Sequence, residues 1–140
     1  MQSKLHVRDL MTRSVKVLGK NDSLSMADAI MRTERIRHLP VVDEDGRLVG
    51  ILSQRDLFFS ALVQALGYGS ASRDRMLNTI LVKEVMTDNV VTTSPETLVT
   101  AAARVMVDRK IGCLPVIEGN ALIGILSESD VVSAVARGSL

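Results

Sequence analysis

The stretch Leu114-Pro115-Val116-Ile117-Glu118-Gly119-Asn120-Ala121-Leu122-Ile123-Gly124-Ile125-Leu126-Ser127-Glu128-Ser129-Asp130 reads as two aliphatic strands, a glycine turn between them, and the start of a helix. The same text stands earlier in the chain. Leu39-Pro40-Val41-Val42 matches the first strand at an offset of 75 residues, and Leu48-Val49-Gly50-Ile51-Leu52-Ser53 matches the second at 74, with Asp56 three residues beyond its serine. The residue lost between the copies falls in the turn, Asp43-Glu44-Asp45-Gly46 in one and Glu118-Gly119-Asn120 in the other. Matched strands with a length change confined to a turn are what duplication followed by drift leaves.

Outward from the hairpins the repeat continues. Val7-Arg8-Asp9-Leu10-Met11-Thr12 returns as Val82-Lys83-Glu84-Val85-Met86-Thr87. Short β-rich pieces follow, Val15 to Leu18 and Val90 to Thr93, and each leads into an amphipathic helix. In the second copy Ser94 is the expected N-cap with Pro95 at the first helical position, and Leu98, Ala101, Ala102, Val105 and Met106 form the apolar face. Leu24, Ala27, Ile30 and Met31 match it more loosely in the first. A second helix is expected from Gln54 to about Leu66, and from Glu128 to about Arg137 before Gly138. Between the copies, 67–72 reads as a loop and 73–81 as a further helix. The near-continuous aliphatic strands predict burial on both faces. The architecture is therefore α/β (α+β), each motif β-α-β-β-α, with residues 1–66 and 82–140 as motifs and 67–81 as linker. A single repeat with a one-sided sheet would be marginal alone, so the two are expected to pack on a shared core as one globule with pseudo-two-fold symmetry.

Composition narrows the function. Seventeen basic against sixteen acidic residues leave +1, and aromatics make up 2% of the chain, which disfavours nucleic-acid binding by charge or by stacking. No apolar run reaches the ~20 residues of a membrane span, and the N-terminus has no signal-peptide core. With one cysteine, a reducing, cytoplasmic setting is the default. Catalysis finds little support. His6 and His38 have no partner at metal-ligand spacing, and no nucleophile elbow, HExxH, CxxC or phosphate loop occurs. Neither a catalytic nor a metal site is expected. Cys113 reads as a small buried hydrophobe, and His38 at the matching position as a packed or rim residue.

The duplicated Ser-x-x-Asp admits two accounts. Ser53 and Ser127 can be N-caps, with Asp56 and Asp130 closing capping boxes worth about 1 kcal/mol per helix. Alternatively, the helix N-terminus favours an anion such as phosphate, while an ionised Asp accepts hydrogen bonds from vicinal hydroxyls, as on a ribose.

The whole pattern, from Met-Thr through the Gly turn to Ser-x-x-Asp, resembles the CBS motif, and two in tandem resemble a CBS pair, or Bateman module. The resemblance covers residues 7–137, and Lys110-Ile111-Gly112-Cys113-Leu114-Pro115-Val116 is similar to stand-alone bacterial CBS-pair proteins of the acetoin-utilisation type. It implies a non-catalytic regulatory module that binds AMP, ADP, ATP or S-adenosylmethionine in clefts between the motifs. It also implies a homodimer and an effector protein supplied in trans. Carried over by motif position, one site uses Arg37, His38, Ser53, Arg55 and Asp56, completed by Thr87 and Val90. The other uses Gly112, Cys113, Ser127, Ser129 and Asp130, completed by Thr12 and Val15. Arg37 and Arg55 suit phosphate, so the first site is expected to prefer ADP or ATP. The second, with Gly112, Cys113 and Glu128, is expected to take AMP, a less charged adenosyl ligand, or nothing. The rival expectation is a structural dimerisation module whose clefts are vestigial.

Overall fold

Both aliphatic pairs fold as antiparallel hairpins in the computed structural model, which describes residues 4–58 and 77–140. The elements in chain order are α1 (Val7–Leu10), β1 (Leu18–Gly19), α2 (Leu24–Glu34), β2 (His38–Val42), β3 (Leu48–Ser53), a 3-10 turn (Val82–Glu84), α3 (Val99–Arg109), β4 (Cys113–Glu118), β5 (Ala121–Ser127) and α4 (Glu128–Ala136). Residues 54–58 and 77–79 are also helical. The remainder of the expected 54–66 helix, the 67–72 loop and residues 73–76 of the expected linker helix lie outside the described residues.

The chain divides into two compact units, one contiguous (Lys16–Val90) and one split (Met1–Val15 with Val91–Leu140). In the contiguous unit β1 runs parallel to β2, β2 antiparallel to β3, and Thr87 bridges Ile51 on the far edge. In the split unit Thr93 bridges Val116 in parallel, β4 pairs with β5, and Thr12 bridges Ile125. The two arrangements correspond position by position. Each hairpin even shifts register at the same place, between Val41 and Val42 and between Val116 and Ile117. The segment that precedes one repeat thus completes the sheet built from the other.

Glycine makes that completion possible. A Cβ on Gly124 would stand 2.7 Å from the Met11 sulfur and 3.0 Å from the Thr12 carbonyl oxygen. On Gly50 it would collide with the Met86 sulfur and come within 3.0 Å of the Thr87 oxygen. At the tighter turn, Gly119 takes φ +62° at the first of two loop positions, as a type II′ hairpin requires.

Each unit has its own core. Leu18, Leu24, Ala27, Met31, Leu39, Val41, Leu52, Leu57, Leu77 and Val82 fill the contiguous unit. Val7, Met11, Ala102, Met106, Leu114, Val116 and Leu126 fill the split unit. Burial on both faces holds for the middle of β2 and most of β4. Among the described residues no helix is long and apolar enough to cross a membrane, and no group of His, Cys, Asp and Glu is arranged to hold a metal ion.

Three local expectations need correction. The β-rich leaders shrink to the two residues of β1 and to a single bridge at Thr93. Helix α3 begins at Val99 with Leu98 as N-cap, one turn later than Ser94-Pro95 suggested. The reason is tertiary: the main chain of 95–99 pairs with 5–8, through Arg8 N–H to Pro95 O, Val7 N–H to Thr97 O and Val99 N–H to Leu5 O. Leu98 is therefore held extended and Ser94 forms a turn with Thr97. The buried stripe follows suit. It runs through Val99, Ala102 and Met106, and Leu98 and Ala101 face solvent.

Both α2 and α3 end on a non-glycine residue in the left-handed region, Arg35 at φ 54° and Lys110 at φ 56°. A side chain there crowds the following carbonyl. Replacing Lys110 with glycine is expected to stabilise the protein by ~0.5–1 kcal/mol, read as a rise in the urea midpoint at unchanged slope. A fall in the midpoint would show that the cation at the helix C-terminus outweighs the relief of strain.

Candidate functional site

Strand pairing sets the candidate residues side by side. His38 lies opposite Ser53 across β2 and β3, and Cys113 opposite Ser127 across β4 and β5. One further main-chain bond locks each corner: Gln54 N–H donates to Arg37 O at 2.7 Å, and Glu128 N–H to Gly112 O at 3.0 Å. Arg37, His38, Ser53, Arg55 and Asp56 therefore meet at one strand-to-helix corner, and Gly112, Cys113, Ser127, Ser129 and Asp130 at the other.

The crossing segments bring the threonines. Thr87 and Ile51 exchange two main-chain bonds of 2.9 Å, and Thr12 and Ile125 exchange bonds of 2.9 and 3.0 Å. In the split unit the Thr12 hydroxyl also donates to Asp130 Oδ1, at 3.4 Å. All seven residues of each candidate set lie within a single unit. Val15 and Val90 are half-buried at the ends of their segments, and Val15 N–H donates to Arg13 O.

The capping account of Ser-x-x-Asp holds at both corners. Ser127 Oγ accepts from Asp130 N–H at 3.3 Å while Asp130 Oδ2 accepts from Ser127 N–H at 2.9 Å. Ser53 and Asp56 make the same reciprocal pair at 3.0 and 3.4 Å. Capping does not exhaust either carboxylate. Each has about four lone-pair positions, and the cap engages Oδ2. Oδ1 of each lies outside the cap, and at Asp130 the Thr12 hydroxyl uses only one of that oxygen's two lone pairs.

The corners differ in charge. Arg37 and Arg55 are exposed, and among the described residues neither is ion-paired. The other corner has glycine and serine in their places and Glu128 where the first has Gln54. Burial, and secondarily the Glu128 charge, pushes the Cys113 thiol up to about 12, so it stays protonated at neutral pH and is no nucleophile. His38 is half-buried in its strand. The packing of Met11 on Gly124 and Met86 on Gly50 was not read from the sequence. Its signal was present, since Met-Thr and the strand glycine recur in both copies.

The CBS domain family model matches residues 7–62 and again 82–137. Among solved structures, a Vibrio cholerae protein assigned to acetoin utilization, AcuB, superposes with a TM-score of 0.77 at 34% identity, over 95% of this chain and 91% of that one. The CBS domain pair of protein MJ0100, solved with 5′-methylthioadenosine and S-adenosyl-L-methionine, gives 0.78 at 28% identity over 95% and 97%. CBSX2, solved with AMP, gives 0.77 at 27% over 97% and 99%. A homoserine O-acetyltransferase of Methanococcoides burtonii is 34% identical over 89% of this chain but only 23% of its own length. The chain spans about a quarter of such relatives.

Proposed function

The chain belongs to the CBS domain family, matched twice along its length, and from that premise we propose that it is a non-catalytic regulatory module that binds adenosine-containing ligands. Asp56 and Asp130 grip the ribose hydroxyls through the oxygen their caps leave over. Thr87 and Thr12, with the serines, approach the 5′ substituent. His38 and Cys113 flank the ligand at the strand ends, and Val90 and Val15 close the apolar side. The observation that carries this reading is the meeting of Thr12 Oγ1 with Asp130 Oδ1, a crossing-segment hydroxyl and a helix carboxylate at one corner. Two similar CBS pairs were solved with adenosine compounds, which supports it.

At the contiguous unit's corner, Arg37 and Arg55 favour a polyphosphate, because guanidinium binds phosphate oxygens in pairs. Occupancy shifts the arrangement of paired chains, to the extent that the ligand binds one arrangement better, and an effector protein reads the change in the cytoplasm.

A thermal-shift panel of AMP, ADP, ATP, S-adenosylmethionine and 5′-methylthioadenosine tests the reading. A ligand at a hundredfold excess over its Kd is expected to add about 2.7 kcal/mol of stability. The complete capping boxes favour a second reading, a structural dimerisation module in which both aspartates serve their helices alone. A flat response to all five compounds would select it.

A further inference from the structure

We propose that the split unit's corner selects an adenosyl ligand whose 5′ substituent is a neutral thioether or a cationic sulfonium over one that ends in phosphate. Glu128 is the residue that makes the selection. This rests on the adenosine-binding reading above and adds the chemistry of the ligand's tail.

Four observations carry it. First, the positive end of α4 is already met by two first-turn carboxylates, Glu128 and Asp130, so the favourable place for an anion is taken. Second, three corresponding positions around the strand-to-helix turn move toward negative charge relative to the contiguous unit: Arg37 becomes Gly112, Gln54 becomes Glu128, and Arg55 becomes Ser129. Third, the main chain of Glu128 is held at this corner, next to the strand end. Its N–H is bonded to Gly112 O at 3.0 Å, and its charge is felt at the buried Cys113 thiol on the strand end. Fourth, the hydroxyls are turned inward. Ser127 Oγ donates to Asp130 Oδ2 at 3.1 Å and lies 2.8 Å from Ser129 Oγ, which leaves little donor capacity for phosphate oxygens.

The crossing segments work partly the other way, with Arg13 beside Thr12 and Asp88 beside Thr87. Counting them, the charged residues of the split unit's corner still sum to −1 and those of the contiguous unit to zero. Arg13 also directs its Nη2 to Arg8 O, at 3.2 Å.

The test is calorimetry on the full chain carrying Asp56→Asn, which weakens the other corner, with S-adenosylmethionine, 5′-methylthioadenosine and AMP. S-adenosylmethionine is expected to bind more tightly than AMP. Adding Glu128→Gln should strengthen AMP roughly fivefold per unit of its charge, weaken S-adenosylmethionine, and leave the neutral thioether unchanged. A second arm needs no change at Glu128: raising salt should compress the ratio between the two charged ligands. AMP binding as tightly as S-adenosylmethionine, or a ratio indifferent to both Glu128→Gln and salt, overturns the proposal. If none of the three binds this variant or the unaltered chain, adenosine binding itself fails and the selection falls with it.

Discussion

Deleting residues 1–15 is expected to unfold the split unit, with loss of amide protection concentrated in 91–140 rather than in the residues next to the cut. Val7 is fully buried and Met11 nearly so, and both belong to the core formed with Leu114, Val116 and Leu126. Removing two such side chains forfeits on the order of 3–6 kcal/mol of apolar burial. The loss extends to the main chain, because Thr12 covers the free edge of β5 at Ile125 and Leu5, Val7 and Arg8 bond to 95–99. A small domain has a stability of only about 5–15 kcal/mol, so a deficit of this size is decisive. Gly124→Ala tests the same contact without a truncation. The added methyl meets Met11 and the Thr12 carbonyl, and overpacking of this kind costs ~1–3 kcal/mol. Hydrogen exchange on both variants is the measurement. Unchanged protection in β4 and β5 after the deletion would show that residues 4–15 are not part of that fold.

Asp130→Asn is expected to lower affinity for the split unit's adenosyl ligand by roughly tenfold to a hundredfold, and Asp56→Asn to do the same to the contiguous unit's ligand, since a hydrogen bond to a charged acceptor is worth ~1.5–3 kcal/mol. Asparagine is the informative choice. Its amide oxygen can still accept from the serine N–H at 127 or 53, so the cap persists while the charge that holds two hydroxyls is gone. The expected pattern is therefore a large change in calorimetric Kd with a small change in the ligand-free melting temperature. The reverse pattern, stability lost and affinity kept, would assign both aspartates to the helices alone. ADP and ATP should lose affinity chiefly with Asp56, next to Arg37 and Arg55. Equal losses in the two variants would contradict the charge difference between the corners.

The parts of this molecule that were legible in its sequence are those set by short-range patterns. The aliphatic strand runs, the glycine turn and the serine cap each act within a few residues, and doubling of the pattern showed that two hairpins and two helix starts share one design. His38 and Cys113 were grouped with Ser53 and Ser127 only through the resemblance to the CBS motif; the folded hairpins set each pair opposite across its strands. The start of α3, decided by a distant partner, was misread. Ser94 and Pro95 make a good local helix start, yet Leu98 takes that place because residues 5–8 claim the main chain of 95–99. Local propensity of about a kilocalorie gives way to several hydrogen bonds and the burial of Val7. Charge at the corners was visible residue by residue. That the Glu128 charge reaches Cys113, and that Arg37 and Arg55 have no ion-pair partner among the described residues, required the folded arrangement.

Sequence alone thus determined the repeated hairpin and helix units and the residue types at each corner, because both depend on neighbours along the chain. Only the tertiary structure decided which leader completes which sheet: segment 4–15 joins the later repeat and 79–90 the earlier one. That choice rests on fit between surfaces far apart in sequence, a methionine laid on a strand glycine and a threonine main chain bonded to an open strand edge.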